Sequence, residues 1–435
     1  MSSLKKQAIK GVKWATTSTI ILTIISILKI AILTRFIQKS DFGLFAIVMF
    51  LLNFVNLFLD LGISSAIIHK QEISKHEYAS LYWLNILFSL VLYGILFVIT
   101  PLVSSFYNFS ELNRIIPIFS IAIVLTAIGS QHRIVWQKEL EFKKIAIIDI
   151  LATSVSLPMA ILFAVKGYGV YALVYASLIQ YALSSISFLI SGIVRHRIMF
   201  HFNFKETFPF LKIGIYQTGG QILNYFNRDI DILIIGKFFE PAILGGYSLA
   251  KQLVFKPMQI INPIVSQVSS PLLAKMQHDL VQLKTNFLKI VNLVSTANAL
   301  AYLLLIIFAK YIVLILYGQS YENITILVQI LSVYLFFRSV GNPVGSLLIA
   351  TGKTQYDFYW NLFVLIIVPL FVIAGSFISI NMVAIFLCIT SILLLVPNWY
   401  FLIRKLINVT LKEYLFNLIP NIKGTYNFFI TRNKE

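Results

Sequence analysis

The sequence is short of charge, of cysteine and of histidine. Only 12% of its 435 residues are Asp, Glu, Lys or Arg, with 17 acidic against 35 basic. So little charge excludes an ordinary soluble domain, in which about a quarter of the residues are charged. The single cysteine, Cys388, excludes an intrachain disulfide, and inside an apolar run it reads as a small residue facing lipid or core. The six histidines (His69, His76, His132, His196, His201 and His278) fall between the apolar runs and read as solvated loop residues, not a metal centre. No Gly-rich phosphate loop followed by Lys and Ser or Thr is present, which excludes ATP hydrolysis on this chain. Neither a cofactor nor a catalytic constellation is expected, and the chain reads as a non-enzyme.

Apolar sequence, by contrast, is abundant. Hydrophobic residues make up 58% of the chain and the mean hydropathy is +0.85. The apolar runs are continuous and not alternating, which excludes a transmembrane barrel and predicts an all-α polytopic membrane protein. Twelve spans are expected, at 12–35, 43–67, 79–103, 114–130, 145–166, 169–193, 210–236, 243–270, 286–309, 324–349, 358–378 and 382–403. They predict two six-helix bundles, 1–200 and 201–410, followed by a cytoplasmic interfacial tail at 411–435. The first span has no small-residue cleavage site after it and reads as retained.

A net charge of +18 would suit nucleic acid, but its distribution points to a membrane. With the N-terminus, even-numbered loops and C-terminus placed in the cytoplasm, that side carries 22 of the 35 Lys and Arg. The other side holds five (Arg35, Lys39, Lys166, Lys237, Lys310). Eight lie within or beside spans: Lys29, Arg114, Lys212, Arg228, Lys251, Lys256, Lys289 and Arg338. This positive-inside asymmetry predicts both termini in the cytoplasm. The longer cytoplasmic loops, Gln131–Lys144 and Arg195–Phe208, mix basic and aromatic residues and read as anchors to anionic headgroups.

The seventh span is the anomaly. Gln217, Gln221, Asn224, Arg228 and Asp231 recur in steps of four and three, one face of a helix, with Asp229 beside them. A charge at the centre of a membrane helix costs roughly 2.5–3.5 kcal/mol, so this stripe is expected to line a wet, protein-enclosed cavity and not only to glue two helices. Span two adds Asn53, Asn56 and Asp60. Span eight adds Gln252, Lys256 and Gln259, with Lys251 beside them, Lys256 read as the deeper lysine, and Pro257 and Pro263 freeing carbonyls. Span ten adds Arg338 among Tyr334, Phe336 and Phe337. Five intramembrane cations (Lys29, Arg228, Lys251, Lys256, Arg338) face three carboxylates (Asp60, Asp229, Asp231). Guanidinium forks hold phosphate oxygens and Asn or Gln pair with hydroxyls, so an anionic, polyhydroxylated ligand is expected. Tyr216, Tyr225 and Tyr334 are candidate sugar platforms, although packing is the commoner role. Asp231, Asp60 and Asp229 are candidates for a coupling proton or sodium ion.

The halves repeat. Arg35-Phe36-Ile37-Gln38, Gly43 and Phe45 match Lys237-Phe238-Phe239-Glu240, Gly245 and Tyr247 at an offset of 202 residues. Six spans per half make the repeat parallel. The same offset sets Lys29 against Asp231, and the pair is expected on opposing walls.

Several stretches then look familiar. Thr34–Phe45 (TRFIQKSDFGLF) resembles the first-loop motif of bacterial polysaccharide-biosynthesis flippases, in the multidrug/oligosaccharidyl-lipid/polysaccharide exporter superfamily. Asp60–Ala66 (DLGISSA) looks like the end of their second helix. Asn224, Arg228, Asp231, Ile235 and Gly236 are similar to their seventh-helix pattern, and Gln137–Lys143 (QKELEFK) to the loop after the fourth. The matches run in order over roughly residues 10–405, and two helices found at the end of larger relatives have no counterpart. The resemblance implies two bundles in a V around a central cavity. It also implies flipping of a polyprenyl-diphosphate-linked oligosaccharide across the bacterial inner membrane by alternating access, for O-antigen or exopolysaccharide. Membrane lipids and the polymerase of the same pathway are the expected partners. The alternatives are a cation-coupled multidrug exporter of the same superfamily and an integral-membrane polysaccharide polymerase or ligase. The short outward loops speak against the latter.

Overall fold

A computed structural model describes residues 2–60, 63–70, 73–195 and 199–421. Among them every regular element is helical. The first half contains α1 (Ser2–Leu33), α2 (Lys39–Asp60), α3 (Ile63–His69), α4 (Lys75–Tyr107), α5 (Leu112–Lys138), α6 (Phe142–Val165), α7 (Val170–Arg195) and α8 (Phe204–Phe238). There follow α9 (Pro241–Lys275), α10 (Leu280–Leu316), a 3-10 segment (Gln319–Ile324), α11 (Thr325–Val340), α12 (Asn342–Ala350), α13 (Thr354–Ser376) and α14 (Ile380–Leu393). Short turns at α15 (Leu395–Asn398), a π-helical stretch (Trp399–Arg404) and α16 (Lys405–Ile407) lead to α17 (Leu411–Leu418).

Among the described residues, ten segments are long and apolar enough to cross a membrane. With α8 and α9, each 35 residues long, they make the twelve spans of a multi-pass membrane protein. Polar residues set the boundaries. The Ser74 side chain accepts the Glu77 amide and Glu77 reaches back to the Ser74 N–H, closing a capping box at the start of α4. The Asn203 side chain caps α8 by accepting the Lys205 amide, and that of Asp279 caps α10 by accepting the Val281 and Gln282 amides. Span ten is divided where Asn342-Pro343 starts α12, since proline supplies no N–H to continue the ladder. Pro257, Pro263 and Pro271 are instead accommodated within the single helix α9.

The chain forms two compact units, Met1–Gly245 and Gly246–Glu435. In the first, α5 packs on α4 and α7, and α6 on α7 and α1, while α8 lies on α2, α3 and α4. The seventh span, which its chain position groups with 201–410, thus packs on α2, α3 and α4 of the first unit. In the second unit α10 packs on α11, α11 and α13 on α14, and α17 on α10. A core of Phe287, Ile290, Val291, Leu347, Leu348 and Ile403 lies at its centre, where burying Tyr414 fastens α17.

The repeat has a physical expression within the first unit. A Cβ on Gly43 would lie 1.9 Å from the carbonyl oxygen of Pro241, and one on Gly245 would lie 1.9 Å from that of Lys39. Residues 39 and 241, like 43 and 245, are 202 apart. The starts of α2 and α9 thus meet reciprocally, and only glycine admits the backbones so closely.

Candidate substrate-binding site

The middle of α8 is locked onto α2. The Tyr225 hydroxyl donates to the Phe50 carbonyl at 2.6 Å, and its ring lies 5.3 Å from Phe50 and 6.3 Å from Phe54. Tyr225 is buried and acts in packing, not as an open sugar platform. This contact turns the next residues outward. Asn224 is exposed and donates to the Gly220 carbonyl one turn back at 3.1 Å. Arg228 is half exposed; its Nε donates to Asp229 at 2.7 Å, and its guanidinium lies 5.5 Å from the Tyr225 ring centre.

The polar stripe is therefore not uniform. Gln221 is half-buried, whereas Asp231 is 4% exposed and accepts the Ile232 amide at 3.0 Å. The stripe presents an amide and a guanidinium outward and keeps one carboxylate inside. The side chains of Gln217, Tyr216 and Asp60 lie outside the described residues. On α2, which packs on α8, Asn53 is half-buried and Asn56 has a buried Oδ1 with no hydrogen-bond partner among the described residues.

Lys29 is placed elsewhere in the unit. Its amine donates to Ser156 Oγ on α6 at 3.0 Å, not to Asp231, and Ser156 in turn donates to the Ala176 carbonyl on α7 at 2.8 Å. Lys29 and Asp231, expected on opposing walls, lie on helices with different neighbours, α1 packing on α6 and α8 on α2 to α4. Lys29 ends a polar seam that the sequence reading missed. Gln180 donates to Thr153 at 3.1 Å and Ser184 to Asp149 at 3.3 Å. Arg133 embraces Asp149 through two bonds of 2.8 and 2.7 Å. Asp149, Thr153 and Ser156 follow the i, i+4, i+7 spacing, a signal hidden by the apolarity of the residues between them.

The second unit separates its cations by helix face. Gln252 and Gln259 are exposed on α9 and Lys256 is half-buried. Lys251 is the more buried of the two within the protein, its amine 5.7 Å from the Phe255 ring centre. On α11 the Arg338 guanidinium donates to the Tyr334 hydroxyl and lies 5.8 Å from that ring. Tyr334 is buried, so it serves as a positioner of Arg338.

His132 requires a correction. It lies within α5, which extends to Lys138 where a loop from 131 was expected. It is 1% exposed and its Nδ1 is 2.8 Å from the Tyr78 hydroxyl. Among the described residues no group of three or more His, Cys, Asp or Glu is arranged to hold a metal ion.

Residues 32–326 match the family described as polysaccharide biosynthesis protein. The chain belongs to that family. Its relatives include the lipopolysaccharide biosynthesis protein WzxC of Escherichia coli (strain K12), 29% identical over 417 residues, covering 96% of this chain and 85% of WzxC. The amylovoran biosynthesis protein AmsL of Erwinia amylovora is 30% identical over 379 residues, covering 84% and 97%. Among solved structures the lipid II flippase MurJ, in an inward closed conformation, superposes with a TM-score of 0.73 at 17% identity. That match covers 97% of this chain and 91% of MurJ, so this polysaccharide biosynthesis protein shares its fold.

Proposed function

We propose that this polysaccharide biosynthesis protein moves a polyprenyl-diphosphate-linked oligosaccharide across the bacterial inner membrane by alternating access, supplying O-antigen or exopolysaccharide assembly. The observation that carries the reading is the outward polar face of α8 in a chain of this family. Asn224 and Arg228 are held exposed on a helix that packs among the apolar spans α2 and α4. Charge in a bilayer-spanning helix is costly and marks a pathway for polar cargo. Arg228 is the candidate for diphosphate oxygens in the first unit, and Lys256 and Arg338 are the candidates in the second, with Lys29 and Lys251 as further cations. A guanidinium offers two parallel donors to phosphate, and Tyr334 orients that of Arg338. Gln217, Gln221 and Asn224 supply hydrogen bonds to sugar hydroxyls. Asp231, Asp229 and Asp60 are the candidates for a coupling proton or sodium ion, and both termini face the cytoplasm. The polymerase of the same pathway is the expected downstream partner.

The test is genetic and chemical. Cells lacking the protein should accumulate lipid-linked repeat units on the cytoplasmic leaflet, and the native gene should clear them. Arg228→Ala should insert normally and yet clear them about 10–100-fold more slowly, the weight of one or two lost charge-assisted bonds. Export undiminished in that variant would remove Arg228 from the pathway.

A further inference from the structure

The segment between α7 and α8 is fastened to one face of α4, at His76, Ser80 and Trp83. Trp83 Nε1 donates to the Met199 carbonyl at 3.0 Å, and its ring stacks on Phe200 with centroids 5.3 Å apart. Ser80 Oγ donates to Glu206 at 2.6 Å and accepts the Asn203 amide at 3.0 Å. His201 Nε2 lies 3.0 Å from Glu206, and the His76 ring meets His201 edge-on at 4.5 Å. Residues 199–206 are thus held in place, yet this stretch and the turn after it hold apolar side chains outward. Phe200 is 95% exposed and Phe208 60%, and Met199, Phe202 and Phe204 are exposed as well.

An apolar patch that is built and then left uncovered marks a contact surface. Its charges indicate the partner. Two nearby carboxylates among the described residues are internally engaged, Glu77 by Lys70 and Glu206 by Ser80 and His201. The Ser80 hydroxyl, followed by His201, holds Glu206 below the ordinary carboxylate range, so it stays ionised and bound. Lys75 and Lys205 are left exposed among the aromatic rings. The length of α8 places the patch: 35 residues span about 52 Å. The apolar core is about 30 Å thick, so the first turns of α8 emerge at the membrane surface.

We propose that residues 199–208 form a binding surface for anionic phospholipid, with Phe200, Phe204 and Phe208 entering the boundary between headgroups and acyl chains and Lys75 and Lys205 taking lipid phosphates. The surface fixes the point at which α8, and with it Arg228, enters the membrane. Aromatic side chains beside exposed lysines, with Glu77 and Glu206 engaged elsewhere, match an anionic bilayer surface.

The experiment places a nitroxide at residue 200, 204 or 208 through Phe200→Cys, Phe204→Cys or Phe208→Cys, each in Cys388→Ser, with His278→Cys as the aqueous reference. The full chain is reconstituted in phosphatidylcholine vesicles with and without phosphatidylglycerol. Collision with oxygen should exceed collision with a water-soluble nickel chelate at all three positions, and the reverse should hold at 278. The depth should increase with phosphatidylglycerol, and Lys75→Glu with Lys205→Glu should abolish that increase. Labels that behave like the one at 278 would overturn the proposal. Depths indifferent to phosphatidylglycerol would overturn its anionic part. Labels shielded only in native membranes would assign the surface to a protein partner and overturn lipid as the occupant. Label depth is read without transport, so its failure is distinct from failure of the flippase reading.

Discussion

At the scale of single residues, the side chains that count are those whose partners decide whether they are available. Arg228 and Arg133 are both arginines paired to an aspartate in a spanning helix. Arg228 meets its own neighbour Asp229 and stays half exposed, whereas Arg133 closes a two-bond fork across helices onto Asp149. The first suits a ligand and the second suits a joint. Asp149→Asn keeps the volume and removes the charge, leaving Arg133 without its fork. Because Arg133 remains partly exposed, the expected loss is about 1 kcal/mol, read as a lowered midpoint of thermal unfolding in detergent. Transport should be largely retained, in contrast to Arg228→Ala. Glu413 adds a pH-dependent contact. Its bond with Lys284, aided by the Thr410 amide and hydroxyl, lowers its pKa to about 2. The carboxylate's contribution is fully present above its unfolded value near 4.3 and is lost as pH falls through about 2. Protection of residues 411–418 from hydrogen exchange should hold from neutral pH to about 4 and decline below it. In Glu413→Gln it should be weaker throughout and lose that dependence.

At the scale of elements, the starts of α2 and α9 form the tightest joint. Each glycine of the pair faces the carbonyl belonging to the other's helix start, so Gly43→Ala or Gly245→Ala would drive a methyl group into backbone. Neither carbonyl can move as a flexible side chain does. Each variant is expected to lose about 1–3 kcal/mol or to misfold, read from the yield of monodisperse protein and its thermal midpoint. The double variant should cost less than the sum, since both methyls force the same two segments apart. α8 carries the other element-scale conflict, an apolar helix interrupted by an ion pair and a buried carboxylate. Tyr225 resolves it by clamping α8 to α2 through Phe50, which turns Asn224 and Arg228 outward.

For the whole molecule, the ten long apolar segments among the described residues, together with α8 and α9, impose a multi-pass arrangement, and the distribution of Lys and Arg imposes its expected direction. A single cysteine in Cys388→Ser tests that direction. Lys205→Cys should react with a membrane-impermeant maleimide only after the inner face is opened, and Lys310→Cys should react from outside; the reverse pattern would overturn the orientation.

The sequence by itself determined the number and approximate bounds of the spans, because continuous apolar length is a local property of the chain. It also determined the period of the repeat and the family. Motif residues keep their offsets whatever the packing, which is why the Gly43 and Gly245 joint could be anticipated as a match but not as a contact. Only the tertiary structure decided the partners. It packed α8 on α2, α3 and α4, gave Lys29 a bond to Ser156, buried Lys251 more than Lys256 within the protein, and drew His132 into α5 beside Tyr78. It also revealed Asp149 as a joint, after its apolar neighbours had hidden it. The reason is physical: helical spacing fixes which residues share a face, but which face meets another helix depends on packing between segments far apart in the chain.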